Sequence, residues 1–111
     1  MLINLKLKNF RNFKDFSCVF SKKTTLIFGK NGVGKTNLLE AVYCVLNGGK
    51  SFRGLNQFFI KDGEKDSVIE INLEGNDAYI YNLRLELKKN KKLFYINKKR
   101  IFKLSDIKLN E

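Results

Sequence analysis

The stretch Gly29-Lys30-Asn31-Gly32-Val33-Gly34-Lys35-Thr36 decides the fold of this 111-residue chain. It satisfies the pattern G-x-x-x-x-G-K-[ST], in which glycines allow the backbone to approach phosphate groups closely. The lysine ammonium of such a loop reaches the β- and γ-phosphate oxygens, and the hydroxyl of the last residue can bind Mg²⁺. The stretch therefore predicts a phosphate-binding loop for ATP and Mg²⁺, with Thr36 as the metal ligand.

The residues on both sides of the loop have the character that such a loop requires. Residues 24–28 are each β-branched or apolar, which is typical of a strand buried on both faces. After the loop, apolar residues recur at helical spacing, so a helix is predicted from about Lys35 to Leu46, ended by Gly48 and Gly49. The helix N-terminus and successive backbone amides present partial positive charge to phosphates. The predicted nucleotide contacts of this segment are Gly29, Lys30, Asn31, Gly32, Val33, Gly34, Lys35, Thr36 and Asn37.

The other regular segments are predicted to be strands. Residues 2–7 alternate apolar and polar side chains, and a turn at residues 9–15 leads into an antiparallel strand at residues 16–20. Three further stretches alternate in the same way and are separated by short polar turns, as in an antiparallel meander: residues 68–73, 78–87 and 93–96. The predicted fold class is α/β, a P-loop nucleoside triphosphatase whose mixed sheet has an antiparallel portion and one main helix.

Length and composition limit the class of protein. One modest core fits in 111 residues, so the chain is expected to belong to a single domain. No apolar run approaches the ~18 residues of a membrane-spanning helix and no secretion signal is evident, so a cytoplasmic location is expected. Cys18 and Cys44 lie in apolar stretches and are expected to be buried hydrophobic residues. Histidine is absent, which removes the usual general base near neutral pH.

The chain carries 22 cationic and 11 acidic side chains, a formal net charge of +11. This excess favours DNA as a partner through counterion release, but an AT-rich gene also explains it, since 18 of the cations are lysines. Residues 88–103 hold eight cations, three aromatic residues and no acid. They could follow a phosphate backbone, or form a hairpin with aromatics in the core and cations in water. The candidate DNA contacts here are Lys88, Lys89, Lys91, Lys92, Lys98, Lys99 and Arg100.

The chain also resembles the SMC-like ATPases, a family of P-loop proteins. The likeness rests on the loop, on the helix sequence Asn37-Leu38-Leu39-Glu40-Ala41-Val42-Tyr43, and on the opening Leu5-x-Leu7-x-Asn9-Phe10-Arg11-Asn12-Phe13. Two later stretches agree with it, Gly49-Lys50-Ser51-Phe52-Arg53 and Ile96-Asn97-Lys98-Lys99-Arg100. The resemblance covers nearly the whole chain and is strongest over residues 5–53.

The resemblance implies roles for residues outside the loop. In such proteins the segment at residues 9–12 lies beside the nucleotide, so Arg11 and Asn12 are candidate contacts to phosphate or base, with a plain surface turn as the alternative. Arg53 resembles an arginine placed near nucleotide or DNA, with a plain surface charge as the alternative. Glu40 is expected to be solvated.

The resemblance also implies a function in recombinational DNA repair, replication and the SOS response to DNA damage. Its implied partners are single-stranded or gapped duplex DNA, other recombination mediator proteins, and a second copy bound through ATP. The family's metal-contacting loop, signature helix and Walker B strand do not occur in residues 1–111, so we expect the Walker A half of one head domain, unable to hydrolyse ATP alone. The alternatives are another SMC-like or overcoming-lysogenisation-type ATPase, or a non-catalytic binding piece with a vestigial loop.

Overall fold

The computed structural model describes residues 2–20, 35–48, 59–89 and 91–102. The side chains of Lys35, Thr36 and Asn37 lie outside the description, although their backbone is helical. The strands and the helix of the described residues are β1 (Leu2–Phe10), β2 (Phe13–Val19), α1 (Lys35–Leu46), β3 (Asp66–Glu74), β4 (Ile80–Lys88), β5 (Lys91–Ile96) and β6 (Lys99–Ile101).

The strands form one sheet in the order β2-β1-β3-β4-β5-β6. β1 and β2 are a hairpin, and β3 to β6 follow one another as a meander, so the predicted antiparallel portion is confirmed. β1 joins the two parts by pairing with β3 as well. Every strand pair among the described residues is antiparallel, and the predicted strand at residues 24–28 lies outside them.

One face of the sheet is apolar because alternate residues of each strand are apolar. Strand pairing sets Leu5 opposite Ile71, and Ile71 opposite Leu83, so these side chains form a row across three strands. The fully buried side chains at the centre of this face are Leu5, Leu7, Ile69, Ile71, Leu83, Leu85 and Leu87. Burying each one contributes about 1.5–3 kcal/mol, so this face holds most of the core.

Helix α1 lies on the apolar face and contacts β1, β3 and β4. Its inward side chains follow the helical repeat, with Cys44 and Val45 three and four positions after Ala41, and they are Leu38, Ala41, Cys44 and Val45. The helix ends where Gly48 takes a left-handed φ of 61° and donates its N–H to the Val45 carbonyl at 3.1 Å. The predicted start of the helix at Lys35 and its predicted end at Leu46 are both confirmed. Within the described residues, no helix has the length and apolar character needed to cross a bilayer.

The two cysteines differ in burial. Cys44 is 1% exposed, as predicted, and burial raises the pKa of its thiol to about 12. Cys18 lies on β2, the first strand in the order of the described sheet, and is only half-buried. The prediction of two buried cysteines therefore holds for the helix and is wrong for β2, which has a neighbouring strand on one side only among the described residues.

The opposite face of the sheet is polar, and its side chains pair with one another. Asn72 donates to Asn4 at 2.9 Å, and Asn82 donates to Asn72 at 3.0 Å, so an amide ladder crosses three strands. Beside it, Arg84 lies 3.7 Å from the Glu70 carboxylate and 2.9 Å from that of Glu86. These mutual contacts neutralise much of the charge on this face.

Candidate nucleotide-binding site

The electropositive end of α1 is the first component of the site. The helix begins at Lys35, the residue predicted from the sequence, and its first turn contains no acidic side chain. The first four backbone N–H groups of a helix have no partner inside it, and the helix dipole adds about half a positive charge there. This end of α1 therefore has the charge that a phosphate group requires. The predicted loop, residues 29–34, lies outside the described residues.

The turn between β1 and β2 is the second component, and it is unusually well fixed. Asn9 and Arg11 both adopt left-handed backbone conformations, with φ of 54° and 55°. The Arg11 N–H donates to the Phe59 carbonyl at 2.8 Å, and the Lys61 N–H donates to the Asn9 carbonyl at 2.7 Å. The turn is thus bound to a segment about 50 positions later in the chain.

The Arg11 side chain joins this turn to α1. Its Nη2 atom donates to both carboxylate oxygens of Glu40, at 3.1 and 3.2 Å, and the guanidinium carbon lies 5.4 Å from the centre of the Phe59 ring. The prediction of a solvated Glu40 is wrong, because its side chain is only 26% exposed and forms this ion pair. Asn12, the other residue predicted in this turn, is exposed. The structure therefore brings Arg11 to the helix that follows the loop.

The position of Arg11 along α1 can be stated from helix geometry. Glu40 is five residues after Lys35, which corresponds to about 7.5 Å along the axis. The guanidinium therefore lies beside the second turn of the helix, behind its N-terminus. Nothing in the local sequence indicates the Phe59 contacts, because their two partners are 48 positions apart.

The cationic segment of residues 88–103 is divided by the strands. Lys88, Lys89, Lys91 and Lys92 lie where β4 turns into β5, and we call them the near lysines. The far cations are Lys98, Lys99 and Arg100, in and after the turn from β5 to β6. Arg100 pairs with Tyr95, three residues along β5 from Lys92, so the nearest members of the two groups are about 10 Å apart along the strand and the others are farther apart. The segment therefore presents two separate patches of positive charge, and Arg53 lies outside the described residues.

The near lysines share an end of the sheet with the turn at residues 9–12. β1 ends at Phe10, and its antiparallel partner β3 begins at Asp66, which pairs with Lys88. The Lys88 ammonium is 3.6 Å from the Asp66 carboxylate. Lys89 lines a cleft of about 480 Å³ together with residues 60–65. Among the cations of this segment, the near lysines are therefore the group on the Arg11 side of the molecule.

The aromatic residues of the segment have different environments. Phe94 is 5% exposed and belongs to the core, as the hairpin alternative predicted. Phe102 is 76% exposed, and the Arg100 guanidinium lies 4.6 Å from its ring centre. The hairpin interpretation is thus correct for Phe94 and wrong for Phe102.

Comparisons of sequence and of fold with known proteins find similarity to the same group of proteins. Residues 4–111 match the family model AAA_23, described as an AAA domain. The DNA replication and repair protein RecF of Flavobacterium johnsoniae is 40% identical over 106 residues, covering 95% of this chain and 29% of that protein. RecF of Clostridioides difficile is 39% identical over 111 residues, covering 96% of this chain and 28% of that protein.

A solved structure gives the corresponding likeness in three dimensions. The recombination mediator protein RecF-ATPrS of the RecFOR pathway matches with a TM-score of 0.76 and 26% identity, over 93% of this chain and 28% of that one. The resemblance to SMC-like P-loop ATPases and the predicted fold class are confirmed by these matches. The chain spans less than a third of the length of the relatives that it matches.

Proposed function

The chain belongs to the AAA domain family AAA_23, and from this premise we propose that it binds ATP with Mg²⁺ as part of a RecF-like protein of recombinational DNA repair and replication. The observation that carries the proposal is a complete phosphate-loop signature placed at the start of α1, whose first turn lacks acidic residues. RecF relatives at about 40% identity support it, as does the likeness to RecF-ATPrS.

The residues of the loop have separate roles in this proposal. The backbone amides of residues 29–34 and the start of α1 hold the phosphates, and Lys35 neutralises the β- and γ-phosphate oxygens. Thr36 is the proposed Mg²⁺ ligand, and the bound ion would supply further positive charge to the same oxygens. Arg11 and Asn12 would contact the nucleotide from one side, because their turn is held against α1 through Glu40.

The partners in the proposal are those of a RecF-like protein. They are DNA, single-stranded or gapped, other recombination mediator proteins, and a second copy that dimerises through ATP, all in the cytoplasm and within the response to DNA damage. Residues 1–111 would form the Walker A half of one head domain, which agrees with their covering 29% of the F. johnsoniae relative. The proposed DNA contacts are Arg53, the near lysines and the far cations.

Lys35→Ala tests the proposal. Removing the ammonium leaves phosphate charge uncompensated, and charge-assisted contacts of this kind contribute ~1.5–3 kcal/mol, so ATP affinity should fall roughly ten- to a hundredfold. The measurement is titration of the purified protein with a fluorescent ATP analogue and Mg²⁺. The matched control is Lys98→Ala, which removes an exposed lysine from the β5–β6 turn and should leave the affinity unchanged. Equal affinities in wild type and Lys35→Ala would favour a vestigial loop.

A further inference from the structure

We propose that Glu40 is a positioning residue of the nucleotide site. It holds the Arg11 guanidinium and thereby fixes the turn at residues 9–12 against α1, where Arg11 and Asn12 can face the nucleotide. The role depends on ATP binding at the start of α1, and so it rests on the function proposed above.

The contact between Glu40 and Arg11 is specific. One nitrogen, Nη2, donates to both carboxylate oxygens, at 3.1 and 3.2 Å. Both side chains are partly withdrawn from water, with Arg11 35% and Glu40 26% exposed. Such burial reduces screening by water and salt, so the pair is held more firmly than one on the open surface.

The turn needs such a contact because its backbone is strained. A residue other than glycine rarely takes a positive φ, and Arg11 has a φ of 55°. Strained conformations persist only where the surroundings fix them. The Phe59 carbonyl and ring fix Arg11 to the segment around residue 60, whereas Glu40 fixes it to α1. Beside the packing of α1 on β1, Glu40 therefore ties the turn to the helix that begins at Lys35.

The sign of the effect on ATP affinity separates this role from two simpler ones. A carboxylate about 7.5 Å along α1 from Lys35 repels phosphate, so a purely electrostatic Glu40 would weaken binding, and its neutralisation would strengthen it. A purely structural Glu40 would change thermal stability and leave affinity alone. If Glu40 is a positioning residue, its neutralisation would lower ATP affinity, because Arg11 would keep its contacts with Phe59 but would no longer be held against α1.

Glu40→Gln in the full-length chain tests the role, with titration by a fluorescent ATP analogue as the measurement. We expect affinity to fall about three- to tenfold. The matched control is Glu70→Gln, which breaks the ion pair with Arg84 on the polar face of the sheet, where Glu70 is 27% exposed. This control should lower thermal stability about as much as Glu40→Gln does, but it should leave ATP affinity unchanged.

A double-mutant cycle shows whether Glu40 acts through Arg11. In an Arg11→Ala background, Glu40→Gln should change ATP affinity by less than about twofold, since no guanidinium remains to be held. If Glu40→Gln does not fold, Arg11→Lys takes its place. It keeps the charge on the turn but loses the guanidinium geometry, and it should weaken binding by a similar factor.

Three results would overturn the role: unchanged or tighter binding by Glu40→Gln, an equal loss in the Arg11→Ala background, or wild-type affinity in folded Arg11→Lys. Each of them is compatible with ATP binding that depends on Lys35, and would leave the proposed function in place. ATP binding that is unaffected by Lys35→Ala would instead overturn the proposed function, and the role of Glu40 with it.

Discussion

The α1 end of the molecule and the cationic segment of β4 to β6 both offer positive charge, but by different means. At the α1 end the charge comes from the backbone amides of the helix N-terminus, and the Arg11 guanidinium beside it is held by Glu40, which balances its charge, and lies over Phe59. In the segment it comes from lysines on flexible stems, divided between the two ends of β5.

The difference teaches which region can select a ligand. Groups fixed before the ligand arrives lose little entropy on binding and can match one arrangement of phosphates. Flexible lysines on a surface attract any polyanion, and their contribution falls as salt is added. We therefore expect a nucleotide-selective α1 end and a segment that contributes non-specific attraction to DNA.

The largest expected effect is on the rate of ATP hydrolysis, because the α1 end supplies only part of what that reaction requires. Phosphoryl transfer to water requires a positioned water and further neutralisation of the γ-phosphate, of which the loop supplies only part. We expect the 111-residue chain alone to release phosphate from Mg-ATP several orders of magnitude more slowly than ordinary ATPases. The measurement is phosphate release with a Lys35→Ala control. Turnover at ordinary rates that depends on Lys35 would contradict this prediction.

The salt dependence of DNA binding compares the two patches of the segment. Changing all four near lysines to Gln should flatten the slope of log affinity against log salt by about 3 units, because Asp66 already partly neutralises Lys88. The same treatment of the far cations should have a smaller effect, since they lie at the other end of β5. Affinity for a gapped duplex would be measured from low to moderate salt. If neither change alters the slope, the excess of cations is explained by an AT-rich gene and not by DNA binding.

The smallest expected effect concerns the packing that holds α1. The Cys44 pKa is raised from 9.0 to about 12 by burial, so the unfolded chain loses this thiol proton at lower pH than the folded chain does. The folded state therefore binds more protons between these values, and stability should fall as pH rises from about 9 towards 12. Denaturant unfolding of wild type and Cys44→Ala would show this, with a shallower decline in the variant. Identical pH profiles would mean that Cys44 is not buried as described.

Sequence patterns predicted the local structure well, for a physical reason. The period of two in β1, β3 and β4 follows from the alternation of side chains along a strand, and the spacing of Leu38, Ala41 and Val45 follows from the helical turn. The ends of α1 were also predicted, since the loop glycines and Gly48 act on their own neighbours. Contacts between residues far apart in the sequence produce no periodic pattern. For this reason Glu40 was predicted to be solvated.

The sequence by itself determined that a helix begins at Lys35 after a phosphate-loop signature and that β1 to β5 alternate into an antiparallel sheet, although β2 begins at Phe13 rather than at residue 16 and β6 was not predicted. Only the tertiary structure decided that Arg11 reaches Glu40 and that Phe59 supports it, because these contacts join segments separated by 29 and 48 positions. It also divided one run of cations into two patches. Each residue of a strand advances the chain by about 3.3 Å, so the near lysines and the far cations lie towards opposite ends of β5.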